Sequence, residues 1–227
     1  MDWALAIDRN REALLRVVAR LFAMAGLDEA ETITHLPRHL RAALIRLARP
    51  TEAAVRRLIV VLAELEPVPL PGPARAAKVQ ARGKPKRNPG SAPTLLAFAI
   101  IDPLPNFNSA PPRLRPLSYP RITVLGLSEP RPIPDGWIPR PGDPVKATGL
   151  CRRLRALKRA LDDLPAHGRR LARWHARRLA GRRRGRFSPM RPGRPPGHRK
   201  RPTRTIDEIL RECHALALHA RATFDTS

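Results

Sequence analysis

The chain has 227 residues, enough for one ordinary domain or two small ones, and 42% of them are apolar, which permits a real core. Its 44 basic residues against 19 acidic ones give a formal charge of +25, too large for solubility tuning, so a polyanionic partner or surface is expected. The 27 Pro and 13 Gly cut against an evenly ordered compact domain, the 4% aromatic content favours helix packing over sheet, and two Cys exclude a disulfide framework.

The expected fold class is mainly α, with a small N-terminal helical bundle, a Pro-rich middle of low order, and a C-terminal helical hairpin plus a final helix. At the start, MDWALAIDRNREALL carries Asp2 and Asp8 where a signal peptide needs positive charge. LIVVLA at 58–63 is far too short to span a membrane. Both features point to a cytoplasmic protein without a transmembrane segment. In residues 10–25, Leu14, Val18, Leu21 and Ala25 fall at helical spacing, and Gly26 is a natural stop. A second helix is predicted from Pro37, which suits a first turn, through Leu40, Leu44 and Leu47. Pro50 ends it, Thr51 caps the next, and Val55, Leu58, Ile59 and Leu62 mark a third, so residues 1–66 read as a helical bundle. The short joint ARPT suits a helix-turn-helix, but VRRLIVVLAEL is apolar nearly all round and belongs in a core rather than a DNA groove.

Residues 67–93, rich in Pro, Gly, Lys and Arg without an acid, read as a basic linker. Residues 94–146 form a Pro-rich segment in which TLLAFAII (94–101) and ITVLGL (122–127) are at most two short strands, or extended strips docked on the helices. Over 147–180 an Arg-rich helical hairpin is expected. Leu150, Leu154, Leu157, Leu161 and Leu164 make one seam, Pro165 ends the first helix, and Leu171, Trp174, His175 and Leu179 share a face of a second helix folded back on the first. Residues 181–204 read as a solvated, disordered basic loop. TIDE at 205–208 matches a capping box, Thr205 with Glu208, opening a final helix over 205–222 through Ile206, Ile209, Leu210, Cys213 and Ala217.

The charge is concentrated. Residues 150–201 hold 19 basic residues against 2 acidic ones, and within them RPGRPPGHRKRP at 191–202 joins five Arg or Lys to Pro and Gly with no acid. The minor groove of AT-rich DNA is narrow and strongly negative, and it favours an Arg inserted on a flat, unbranched backbone. PGRP at 192–195 and its basic flank PGHRKR resemble the AT-hook, whose core is Arg-Gly-Arg-Pro, with Pro192 in place of the first Arg. RGRF at 184–187 has both Arg and the Gly, with Phe187 in place of the Pro. The resemblance implies minor-groove contact, while the charge by itself implies phosphate contact with DNA or RNA. The residues expected to carry it are Arg184, Gly185, Arg186, Arg191, Gly193, Arg194, Pro195, Arg199, Lys200 and Arg201. Arg152, Arg155 and Arg159 on the first hairpin helix, and Arg169, Arg173 and Arg177 on the second, add like charges that an anion would neutralise. Trp174, beside Leu171, belongs to the core rather than to base stacking.

The blocks LCRRLRALKRALDDLPAHGRRLARWHARR and RPGRPPGHRKR together resemble short Arg- and Pro-rich proteins of GC-rich alphaproteobacteria, over about a third of the chain. That resemblance implies a bacterial cytoplasmic origin and supplies no activity. No catalytic residue, metal site or cofactor is expected. Asp162 and Asp163 are adjacent and do not face each other on a helix, no GxSxG, HExxH or phosphate-binding loop occurs, and Cys151 and Cys213 lie in no zinc spacing. Cys213 and His214 diverge by about 100° on a helix. The alternative to nucleic-acid binding is a protein–protein scaffold, in which the seam 150–164 pairs with another protein and the basic loop docks an acidic partner. The sequence carries no sign of the oligomeric state.

Overall fold

A computed structural model describes residues 2–27, 33–66, 97–103, 140–179 and 188–224. Among them are five helices and one two-stranded sheet, so the chain is mainly α: α1 (Trp3–Ala25), β1 (His35–Pro37), α2 (Arg38–Leu65), β2 (Pro144–Lys146), α3 (Thr148–Asp162), α4 (Leu164–Leu179) and α5 (Thr205–Phe224). No helix among the described residues is long and apolar enough to cross a membrane.

The ends of α1 follow from its sequence. Asp2 caps the start by accepting from the Leu5 N–H at 3.0 Å. Gly26, at φ 62°, donates to the Ala23 carbonyl at 3.1 Å, and Leu27 donates to Phe22 at 3.0 Å. These paired bonds are a Schellman stop, which needs a left-handed residue where Gly26 stands.

The break expected at Pro50 does not occur, because α2 runs unbroken with Pro50 inside it. A mid-helix proline forfeits one backbone bond and costs about 3 kcal/mol. Burial offsets this cost, since every residue from Pro50 to Val61 is buried, and a helix apolar on all sides belongs at the centre of a bundle. Thr51 does not cap a new helix. Its hydroxyl donates to the Leu47 carbonyl at 2.7 Å, the back-bond available to a threonine within a helix.

Around α2 pack α1, α3, α4 and α5. One apolar cluster joins Leu14 and Val18 of α1, Leu58 and Ile59 of α2, Leu157 and Leu161 of α3, Leu171 of α4 and Leu210 of α5. Helices α1 and α2 therefore share their core with the C-terminal helices instead of closing a bundle of their own. Asp163 ends α3 and also caps α4, accepting from the Ala166 N–H at 3.2 Å, so Pro165 falls in the first turn of α4, where its missing N–H is harmless. Rather than folding back along α3, α4 rests mainly on α2. Gly168 permits this, since a Cβ there would lie 2.9 Å from that of Leu62.

The sheet also differs from expectation. β1 and β2 pair antiparallel, Leu36 opposite Val145, and neither coincides with an expected strand. Residues 97–103 form no strand and lie as an irregular strip with Phe98 and Ile100 buried in the core, which is the docked alternative. Residues 122–127, like most of 67–139, lie outside the described residues. At the start of α5 the backward cap bond comes from Asp207, which accepts from the Thr203 N–H at 3.3 Å, rather than from Glu208.

Candidate nucleic-acid interface

Two adjacent arginines on a fully buried stretch of helix require carboxylates, because an unpaired buried charge is prohibitively costly. Arg57 is completely buried. Its Nη1 and Nη2 donate to Asp102 Oδ1 and Oδ2 at 2.8 and 2.6 Å, and Nη1 also donates to the Ala53 carbonyl at 3.1 Å. This two-pronged pairing is the strongest geometry open to an Arg and a carboxylate. Arg56 lies 3.4 Å from Glu52 and 3.5 Å from Asp102, donates through Nε to the Ala99 carbonyl at 2.9 Å, and sits over the Phe98 ring. Burial lowers its pKa, while Glu52 and Asp102 oppose the shift. Arg153 of α3 grips Glu52 at 3.0 and 2.9 Å. Glu52 and Asp102 are thus already occupied by arginines.

Asp102 also holds the basic segment. Its N–H donates to the Pro189 carbonyl at 2.9 Å, and its Oδ2 accepts from the Arg191 N–H at 3.3 Å. Pro189, Met190 and Pro195 are buried. Residues 195–198 form a type II turn closed by the His198 N–H on the Pro195 carbonyl at 3.1 Å, with Pro196 second and Gly197, at φ 83°, third. A Cβ on Gly197 would meet the Pro50 nitrogen at 2.6 Å. The interior proline of α2, with no N–H to satisfy, is the floor on which this turn rests. Residues 188–204 are accordingly an anchored segment and not the solvated loop expected for 181–204. The reason is non-local: three small apolar side chains and one buried acid hold the backbone, and a window of composition registers only its Arg, Pro and Gly.

The expected contact residues divide accordingly. Arg194, Arg199, Lys200 and Arg201 are exposed, and Arg191 is half-buried. Arg199 donates to Thr203 Oγ1 at 3.4 Å. Gly193 is exposed at φ 78°, with nothing within 4 Å of where a Cβ would stand, so the backbone turns there and does not lie flat. Pro195 faces the protein body. Arg184, Gly185 and Arg186 lie outside the described residues.

On the helices, Arg152, Arg159, Arg169, Arg173 and Arg177 are exposed and Arg155 is half-buried. Trp174 packs partly buried against the core, with the Arg178 guanidinium over its ring. No protein-family model matches the chain, nor does any curated protein or solved structure. The reading therefore rests on the residues themselves. Leu150, Leu154, Leu157, Leu161 and Leu164 are at most 5% exposed, so the seam proposed as a scaffold surface is spent inside the chain. Cys213 is buried with Sγ 3.5 Å from Asn10 Oδ1, and burial pushes its thiol pKa up; burial raises that of Cys151 as well. Among the described residues, no three His, Cys, Asp or Glu side chains are grouped to hold a metal ion. Sequence reasoning missed Asp102. The available signal was a lone acid ending the apolar run TLLAFAII.

Proposed function

We propose that the chain is a non-catalytic, cytoplasmic, nucleic-acid-associated protein that grips the phosphate backbone of DNA or RNA through its Arg/Pro/Gly segment, with the exposed arginines of α3 and α4 adding to the positive field. The observation that carries this reading is that Arg194, Arg199, Lys200 and Arg201 are exposed on a segment whose backbone is anchored and which contains no acid. Anchoring reduces the ordering entropy lost on binding, and the Arg heads remain free to meet phosphates.

If roughly 6 to 10 phosphates are neutralised, affinity for duplex DNA falls by about 10³ to 10⁵ between 50 and 200 mM salt. Arg194→Ala tests the minor-groove element, since entry of Arg194 predicts a greater loss on AT-rich than on GC-rich duplex. Arg169→Ala weakens both alike. Equal losses for Arg194→Ala reduce the segment to a phosphate clamp, and binding indifferent to salt refutes the proposal. Co-purification before and after nuclease adds a check, because a stoichiometric acidic protein retained after digestion would replace nucleic acid as the partner.

A further inference from the structure

A cleft of about 730 Å³ opens between the anchored segment and α5, within the size range of small-molecule sites. Its lining includes Arg191, Arg194 and His198 from the segment and His214, Leu218 and Arg221 from α5, with no carboxylate. None of the three Arg side chains is ion-paired among the described residues. Asp102, which meets the backbone of Arg191, has both oxygens on Arg57. Three arginines thus line one concavity without an internal counter-charge.

Nδ1 of His198 and Nδ1 of His214 are both buried, and neither has a hydrogen-bond partner among the described residues. Both nitrogens lie beneath the cleft surface, out of reach of a group held in the cleft, so the donors it offers are its arginines. Burial first, then the nearby Arg57 charge and that of His198, lowers the His214 pKa from its ordinary 6.5, with Asp102 opposing. At neutral pH His214 is therefore an uncharged imidazole and adds no charge to the lining. Leu218, half exposed, and the buried Met190 add apolar surface to the lining.

We propose that this cleft is a discrete site for a nucleotide phosphomonoester. The terminal phosphate meets Arg191, Arg194 and Arg221, while the nucleoside lies on Leu218 and Met190. A phosphodiester within a strand has a single charge and two free oxygens. A monoester carries about −1.5 to −2 and offers three acceptor oxygens, so a lining of several cationic donors and no acid selects the monoester. The same chemistry occurs at the phosphorylated end of a strand and in a free nucleoside monophosphate. The site does not depend on the backbone grip proposed above.

The test compares affinities, by calorimetry at one salt concentration, for single-stranded oligonucleotides of identical sequence ending in a 5′-phosphate or a 5′-hydroxyl, and for adenosine monophosphate against adenosine. The phosphorylated member of at least one pair is expected to bind about tenfold more tightly, or about 1.4 kcal/mol. Arg221→Ala brings that ratio close to one. Arg16→Ala, which removes an exposed charge paired with Glu12 on α1, leaves the ratio in place. A preference in the oligonucleotide pair identifies strand ends as the source, and one in the adenosine pair alone identifies a free nucleotide. Equal affinities within both pairs overturn the cleft proposal, even where both oligonucleotides bind and the backbone reading survives. Tight monophosphate binding without oligonucleotide binding supports the cleft and refutes the backbone reading.

Discussion

At the scale of single residues, Asp102 ties together three parts of the chain: it neutralises Arg57 of α2, accepts from the backbone of Arg191, and donates to Pro189. Removing one member of a buried ion pair leaves the other charged and unsolvated, so Asp102→Ala is expected to destabilise the protein by about 3–5 kcal/mol in urea denaturation. Replacing both partners, as Arg57→Met with Asp102→Leu, is expected to cost much less, because neither charge is then stranded. A loss under about 1 kcal/mol for Asp102→Ala would mean that water reaches the pair. The two residues are 45 positions apart, and nothing local to either predicts the other. Sequence could reveal only that Arg56 and Arg57 sit beside the apolar run LIVVLA and must find acids somewhere.

At the scale of elements, the helical periodicities of α1, α3 and α5 were legible because each is a local repeat of apolar positions closed by a cap or a glycine. Pro50 was misleading, since the local cost of a proline is visible in the sequence and the burial that offsets it is not. The same proline supports the turn at Gly197, which yields a paired test. Gly193 and Gly197 both have positive φ, but only Gly197 is in contact with another part of the chain. Either glycine changed to alanine incurs about 1–2 kcal/mol of backbone strain. Gly197→Ala in addition drives a methyl into Pro50, so limited trypsin digestion should cleave at Arg199 and Lys200 much faster than in the wild type, with Gly193→Ala intermediate. Equal cleavage of all three proteins would show that the contact with Pro50 does not hold the segment.

At the scale of the whole molecule, a core shared by five helices predicts one cooperative transition. Far-ultraviolet circular dichroism and tryptophan fluorescence, with Trp3 on α1 and Trp174 on α4, should give coincident urea curves. Two separated transitions would restore the independent N-terminal bundle that the composition suggests.

The features legible in the sequence are local or compositional: a helical chain, the stop at Gly26, leucines at core spacing in α3, and positive charge gathered in residues 150–201. These depend on propensity, periodicity and counting, which act within a few residues or over the chain as a sum. Tertiary contacts decide that α2 passes through Pro50, that Leu150 to Leu164 face inward, that the PGRPPGH stretch is anchored, and that Arg191, Arg194 and Arg221 line one concavity. Each of these outcomes is a balance between a local cost and a contact made far away along the chain. A proline's lost bond is set against all-round burial, and a left-handed glycine against a helix that lies nearly 150 residues before it in the sequence.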